Sequence, residues 1–130
     1  MRAIKSTLSL AGAVFALSLM TGCAREVSTE PHIPRWVVVP EDVELQLVDW
    51  RVGETSVQGM AVGQTALDAE ELRNFYVERL RARGFDVDAS PVLQGGRFVQ
   101  VSARSRGRDR SLNASLGGDG ALVVSFSQSR

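Results

Sequence analysis

Apolar and polar residues alternate in the last third of the chain, and this alternation constrains the fold more than any other feature. It places Val99, Val101 and Ala103 on one side of an extended chain. The same spacing recurs in two later stretches, at Leu112, Ala114 and Leu116 and at Leu122, Val124 and Phe126. A period of two is typical of a strand with one buried face. Polar or glycine-rich segments at residues 106–109 and 117–120 separate the stretches, so we predict antiparallel strands joined by hairpins.

A single amphipathic helix is predicted over residues 69–83. Asp68 and Glu71 have the spacing of a capping box, in which each side chain satisfies a backbone N–H at the helix start. Gly84 suits the left-handed residue that commonly follows a helix. Helical spacing brings one group of mainly apolar residues onto a single side, namely Leu72, Phe75, Tyr76, Arg79 and Leu80.

Two strands are predicted before the helix, around residues 43–52 and 56–62. The apolar positions change parity near Val48, which indicates a β-bulge or a strand covered on both faces. Gly59 indicates a kink or a close approach by the helix. Phe85 begins a further strand after the helix. We therefore expect an α+β fold, with a single helix packed on one face of an antiparallel sheet, in the order β-β-α-β-β-β with allowance for one split strand. The other face, rich in Ser, Gln and Arg, is expected to remain wet.

The first 22 residues have the features of a secretory signal peptide. Arg2 and Lys5 give a positive start, and residues 7–19 form an uncharged, mostly apolar run. A membrane-spanning helix needs about 20 residues, so this run fits a signal peptide better than a spanning anchor. Gly22 and Cys23 follow the run, and Cys23 is the only cysteine in the chain.

Gly22 and Cys23 resemble the lipobox of bacterial lipoproteins, in which a small residue precedes a cysteine that receives diacylglycerol and becomes the mature N-terminus. Met20 departs from that pattern, where leucine is usual. The resemblance covers residues 1–23 and implies cleavage between Gly22 and Cys23, lipidation of Cys23 and attachment to a membrane. Because Ala24 is not the aspartate that retains such proteins in the inner membrane, the resemblance implies the outer membrane, facing the periplasm. The alternative is an ordinary secretory signal that happens to precede a cysteine.

The mature chain is predicted to consist of a lipidated N-terminus and tether, residues 23–35, and a single small domain, residues 36–130. Pro31 and Pro34 interrupt any helical or strand period in the tether. Twelve extended residues reach at most about 40 Å, so the domain is expected to act close to its membrane.

Residues that could carry catalysis are few. His32 is the only histidine, and it falls in the predicted tether, where nothing orients it as a general base. Acidic residues at 41–44, together with Asp86 and Asp88, have the chemistry of paired glycosidase acids, but solvated strand ends explain them better. We therefore predict no enzymatic activity, no cofactor and no metal site. The 15 basic residues balance the 15 acidic ones, which argues against a nucleic-acid partner.

Charge is unevenly distributed along the chain. Residues 25–96 contain seven arginines and thirteen acids, a net charge of −6, whereas residues 97–130 contain six arginines and two acids, a net charge of +4. Four of the later arginines alternate around one hairpin tip: Arg104, Arg106, Arg108 and Arg110. A row of guanidinium groups suits phosphate or carboxylate, so these residues are candidates for binding an anion or a partner. The alternative is a solvated hairpin whose charges discourage aggregation.

Together these features predict a membrane-anchored envelope lipoprotein with a non-catalytic binding or assembly module, whose partner is an envelope protein or a wall component. Two alternatives remain open. A small cell-wall hydrolase requires a cleft with convergent carboxylates. A carrier of an apolar small molecule requires a cavity lined by residues such as Trp50, Phe75 and Phe126.

Overall fold

Six strands and one helix follow the predicted signal peptide and tether. The computed structural model describes residues 27–93 and 95–130; the predicted signal peptide, Gly22 and Cys23 lie outside the described residues. The elements are β1 (Gln46–Val52), β2 (Ser56–Gln64), α1 (Ala69–Ala82), β3 (Phe85–Ala89), β4 (Val99–Ser105), β5 (Arg110–Leu116) and β6 (Ala121–Ser129). No helix in the described ranges is long and apolar enough to cross a membrane.

All six strands form one antiparallel sheet in the order β1-β2-β6-β5-β4-β3. The last strand, β6, pairs with both β2 and β5. The chain must therefore cross the sheet between β2 and β3, and α1 makes that crossing. This arrangement confirms the expected α+β fold, with one helix and an antiparallel sheet.

The predicted strand order is wrong in one respect, because four strands rather than three follow the helix. The connection at residues 90–98 separates β3 from β4. Ser90 still donates its N–H to the carbonyl of Gln100 at 2.9 Å, but Pro91 has no N–H with which to continue the ladder. The regular ladder stops at that point and resumes at Val99, with an isolated antiparallel bridge between Leu93 and Phe98 in the connection.

The helix matches its predicted signals at both ends. The Asp68 carboxylate accepts the Glu71 N–H at 2.8 Å, and the Glu71 carboxylate accepts the Asp68 N–H at 3.2 Å, which confirms the capping box. Arg83 caps the other end, and Gly84 has a φ of 87°, in the left-handed region as expected. The buried helix residues lie along one side: Ala69, Leu72, Tyr76 and Leu80.

The face of the sheet beneath α1, which we call the inner face, carries the core. The predicted alternation is confirmed, because all nine positions predicted to face inward on β4, β5 and β6 are buried. The helix packs over β3 and β4. The rest of the inner face lies beneath residues 27–45, which we call the N-terminal segment. Val37 and Val38 of this segment are buried, and the Tyr76 hydroxyl donates to the Val38 carbonyl at 2.9 Å, which links the two covering layers.

The parity change in β1 is a β-bulge. The register of β1 against β2 shifts between Leu47 and Asp49, so Val48 is the extra residue. The bulge returns Trp50 to the inner face, where its ring centre lies 6.4 Å from that of Phe126.

Gly59 is in close contact with an aromatic ring of the neighbouring strand, and not with the helix. A β-carbon at Gly59 would stand 2.6 and 2.7 Å from two ring atoms of Phe126, its partner on β6. This corrects the expectation of an approach by the helix. The glycine is needed because the large ring of Phe126 covers the backbone at that point.

Candidate functional site

The opposite face of the sheet, which we call the outer face, is covered by no other part of the described chain. Strand register arranges its side chains in rows across all six strands. The central row contains Asp49, Met60, Ser125, Asn113, Ser102 and Asp88. The row beside it contains Arg51, Gln58, Ser127, Ser111, Arg104 and Asp86. All twelve residues are exposed or half-buried, and eleven of them have polar side chains, Met60 being the exception.

A shallow, open groove of about 810 Å³ crosses the outer face from β1 to β3. Hydroxyl and amide groups lie along its centre. The Ser111 and Ser127 hydroxyl oxygens are 2.6 Å apart, and Gln100 donates its side-chain N–H to the side-chain amide oxygen of Asn113 at 3.3 Å. Hydroxyls and amides can each act as donor and acceptor, so this floor can form hydrogen bonds with a polar partner.

Charged residues stand at both margins of the groove. On β1, Arg51 and Asp49 form an ion pair at 3.2 Å. On β3, Asp86 and Asp88 are exposed and face Arg104 and Ser102 across the strand pair. The groove therefore presents an ion-paired margin at one side and a margin of mixed charge at the other.

The four arginines of the β4–β5 hairpin do not form a single row. Arg104, Arg106 and Arg108 line the groove. Arg110 lies instead under the N-terminal segment, with its guanidinium carbon 5.6 Å from the centre of the Trp36 ring. Its Nε atom is buried and has no hydrogen-bond partner among the residues that the structure describes.

The geometry of the β4–β5 turn explains why Arg110 is separated from the other three arginines. Arg104 pairs with Ser111 on the outer face, so Arg110, one residue earlier on β5, points to the inner face. Alternation continues only in a regular strand, and Arg108 interrupts it with a left-handed φ of 61°. The sequence spacing alone could not show that the chain changes conformation at this residue.

A hydrogen-bonded pair fixes the same turn. The Ser105 hydroxyl donates to the Asp109 carboxylate at 2.7 Å and accepts the Arg110 N–H at 3.0 Å. The hydrogen bond from Ser105 is the main reason that the pKa of Asp109 lies below its usual value. The carboxylate therefore stays ionised at neutral pH and holds the hairpin tip in place.

A second cavity, of about 330 Å³, lies between the N-terminal segment and the inner face. Trp36, Trp50 and Phe126 contribute its aromatic lining. Phe75, which the carrier alternative included, lies outside this cavity and packs edge-on against Tyr76, with 5.3 Å between ring centres. The cavity is thus beneath the N-terminal segment and away from the helix.

Part of the predicted tether contacts the domain. The Trp50 indole N–H donates to the Thr29 carbonyl at 3.0 Å, and the ring centres of His32 and Trp50 are 5.7 Å apart. Ile33 packs against the core. His32 is thereby placed beside an aromatic ring, with its Nδ1 atom 2.7 Å from the Glu30 carbonyl oxygen.

The acidic residues at 41–44 occupy the other end of the sheet. Asp42 accepts the Ala66 N–H at 2.8 Å and the Thr65 hydroxyl at 3.0 Å, and the hydrogen bond from Ala66 is the main cause that lowers its pKa. Glu41 and Glu44 are exposed. Within residues 27–93 and 95–130, no cluster of His, Cys, Asp or Glu has the composition to hold a metal ion.

The chain matches no protein-family model, no curated protein and no solved structure. Its candidate site is therefore defined by geometry alone. Sequence reasoning predicted a wet outer face but did not identify it as a site. The signal was present in the serine, asparagine and glutamine residues that alternate with the core positions, but their alignment across strands depends on the register.

Proposed function

We propose that this chain is a membrane-anchored envelope lipoprotein with a non-catalytic binding module, and that the outer face of its sheet is the binding surface. The observation that carries the proposal is the polar groove across the outer face. The inner face is covered by both α1 and the N-terminal segment, whereas residues 27–93 and 95–130 leave the outer face uncovered. An antiparallel sheet can leave one face in water, and here that face combines hydroxyl, amide and charged groups in one continuous depression.

The composition of the groove favours a protein as its partner. Asp86 and Asp88 lie beside Arg104 at one margin, and Asp49 is paired with Arg51 at the other. Complementary charge selects a partner by matching both signs and by excluding surfaces with the wrong sign. A polypeptide carries both signs along its length, so the proposed partner is an envelope protein; a wall component is the competing outcome in the binding experiments.

Substitution of Cys23 tests the anchor. We expect the wild-type chain to incorporate labelled palmitate and to sediment with membranes, because Cys23 would carry the acyl chains. Cys23→Ser should abolish both the label and the membrane association. The matched control is Ser28→Ala, which leaves the predicted lipobox intact and should behave as the wild type. A wild-type chain without lipid in the soluble fraction would contradict the proposal.

A pair of charge substitutions tests the binding surface. Ser102 is exposed at the centre of the outer face, and Glu78 is exposed on α1. After detergent extraction and affinity isolation, Ser102→Arg should lower the recovery of a specifically bound envelope protein about ten-fold, which corresponds to about 1.4 kcal/mol. Glu78→Arg should leave recovery unchanged. Equal loss in both variants would remove the outer face as the binding surface.

The aromatic cavity supports a second candidate function, the carriage of a small apolar molecule. Its volume of about 330 Å³ is near the lower end of the range of about 300–1,000 Å³ for ligand pockets. Both tryptophans of the chain line it, so intrinsic fluorescence reports directly on its occupancy. Titration with a short-chain fatty acid should give a saturable shift in emission if the cavity binds apolar ligands. A linear or absent response would exclude this function.

A further inference from the structure

One end of the sheet, which we call the hairpin end, gathers the turns at residues 53–55 and 106–109 with the last residues of the chain. The Arg130 N–H donates to the Thr55 carbonyl at 2.9 Å, and the Ser129 N–H donates to the Asp109 carbonyl at 2.8 Å. Helix α1 also ends there, since β3 begins directly after it.

The hairpin end is rich in arginine. The strands and turns contribute Arg51, Arg104, Arg106, Arg108 and Arg130, and the end of α1 contributes Arg79, Arg81 and Arg83. The acids near this end are Asp49, Glu54, Glu78, Asp86 and Asp109. Eight arginines against five acids leave this end with excess positive charge, and the ion pair between Asp49 and Arg51 removes one charge of each sign. Arg106 and Arg108 extend from this basic surface.

The opposite end of the sheet carries the reverse charge. It holds the start of α1 and the β5–β6 turn, with Asp42, Asp68, Glu70, Glu71 and Asp119 against Arg97. Charge is thus separated along the strand direction. A domain with this distribution orients in the field of an anionic surface with its basic end toward that surface.

The N-terminal segment begins beside the hairpin end. Val27 and Ser28 line the aromatic cavity with Val57 and Gln128, each of which is the second residue from that end of its strand. Cys23 precedes Val27 by four residues, a span of at most about 14 Å when extended. An acyl anchor on Cys23 would therefore hold the hairpin end, and not the acidic end, next to the bilayer.

We propose that the hairpin end faces the membrane and that Arg106 and Arg108 bind the phosphates of anionic lipid headgroups. The proposal rests on the proposed function, because it requires the lipid on Cys23. Guanidinium groups form paired, charge-assisted hydrogen bonds with phosphate oxygens. Acyl chains and a basic patch bind a membrane more strongly together than either does alone, when both contact the same bilayer. The outer-face groove then opens to the side, where a partner in the same membrane can reach it.

Arg106 and Arg108 are both exposed at the tip of the hairpin. The left-handed φ of 61° at Arg108 belongs to the turn itself, because the Arg108 N–H donates to the Ser105 carbonyl at 2.8 Å. The turn thus holds the backbone in place and leaves both guanidinium groups exposed to an anionic surface.

Site-specific fluorescence quenching in vesicles tests the orientation. The full acylated chain is labelled at a single introduced cysteine, Gly107→Cys at the hairpin tip or Gly118→Cys in the β5–β6 turn. Neither glycine has a φ in the left-handed region, and a β-carbon would meet only ordinary neighbours, at 3.5 Å for Gly107 and 3.8 Å for Gly118. The vesicles contain phosphatidylcholine with or without phosphatidylglycerol, and a lipid with a quencher on its headgroup.

We expect the label at position 107 to be quenched several-fold more than the label at position 118 in vesicles that contain phosphatidylglycerol. Arg106→Ser with Arg108→Ser, or high salt, should reduce that difference. Equal quenching at the two positions, or stronger quenching at 118, would overturn the proposed orientation. If the label at position 107 were shielded in cells but not in vesicles, a protein would be bound at the hairpin end. That result would also overturn the proposed orientation.

Mass spectrometry of the same preparation separates the two ways of failing. A missing acyl mass on Cys23 would contradict the proposed function, and the orientation would fall with it. An acylated chain with both labels equally distant from the headgroups would contradict only the orientation.

Discussion

The two faces of the sheet are built from the same strands but have opposite chemistry. On β6, Val124 is fully buried on the inner face, whereas Val123 and Ser125 on either side of it are half-buried on the outer face. The inner face supports two covering layers, and the outer face holds a polar groove. The period of two lets one strand serve both purposes, because successive side chains point to opposite sides.

Stability and binding therefore depend on opposite faces of the same sheet. Apolar burial on the inner face is the main favourable contribution to folding, whereas exposed polar positions contribute little when they are substituted. Outer-face residues are therefore free to fit a partner without loss of the fold.

The largest expected effect comes from two adjacent valines. Val124→Ala should lower the free energy of unfolding by about 2–3 kcal/mol, because it removes buried methyl groups and leaves a cavity. Val123→Ala, the matched change one residue away, should cost less than about 1 kcal/mol because the side chain is only half-buried. Urea denaturation of both variants measures the difference. Equal costs would show that the outer face also contributes to the core.

An added methyl group tests the contact between Gly59 and Phe126. Gly59→Ala should destabilise the domain by about 1–3 kcal/mol, because the new β-carbon would overlap the Phe126 ring. Gly118→Ala, at an open position in a turn, is the control and should have a much smaller effect. The two melting temperatures provide the measurement. An unchanged melting temperature for Gly59→Ala would mean that the ring moves aside easily.

Replacement of Arg108 should separate stability from binding most clearly. Arg108→Gly should raise the free energy of unfolding by about 0.5–1 kcal/mol, because glycine accepts the left-handed conformation without strain. The same variant should reduce quenching at the hairpin tip in anionic vesicles. A variant that is more stable and still fully quenched would show that Arg108 has no part in lipid binding.

The smallest expected effect concerns Asp42, on the end of the molecule opposite to the hairpin. Hydrogen bonds, chiefly from the Ala66 N–H, hold the pKa of Asp42 below its ordinary value in the folded chain. Its stabilising contribution is therefore present above the ordinary carboxyl pKa of about 3.9 and is lost as pH falls through the lower folded pKa. Asp42→Asn should melt slightly below the wild type at pH 7, and the gap should close in acid. A difference in melting temperature that widens in acid would contradict a stabilising role for the ionised Asp42 carboxylate.

Local features of the fold could be predicted from the sequence. The alternation of β4, β5 and β6, the capping box of α1 and the bulge at Val48 each depend on residues that are near one another in the chain. The insertion of β6 between β2 and β5 could not be predicted, because strand order depends on pairings between distant residues. For the same reason the sequence did not indicate that Trp36 and Val38 would cover the inner face.

The candidate site shows the same limit. The arginine spacing predicted a row around the hairpin, and three of the four residues do line one groove. Arg110 lies apart because the left-handed backbone of Arg108 shifts the chain, a property that alternation cannot reveal. The rows of serine and asparagine on the outer face needed the register of six strands, and that register is set by contacts across the whole sheet.

Photo-cross-linking in intact cells tests the separation of the two faces most directly. A photoreactive residue is placed either at Ser102, in the centre of the outer face, or at Glu78, on the exposed side of α1. Amine-reactive reagents would be uninformative, because Lys5, in the predicted signal peptide, is the only lysine in the chain. We predict a discrete protein adduct from position 102 and none from position 78. An adduct from position 78 alone, or glycan adducts from position 102, would contradict the proposed protein-binding outer face.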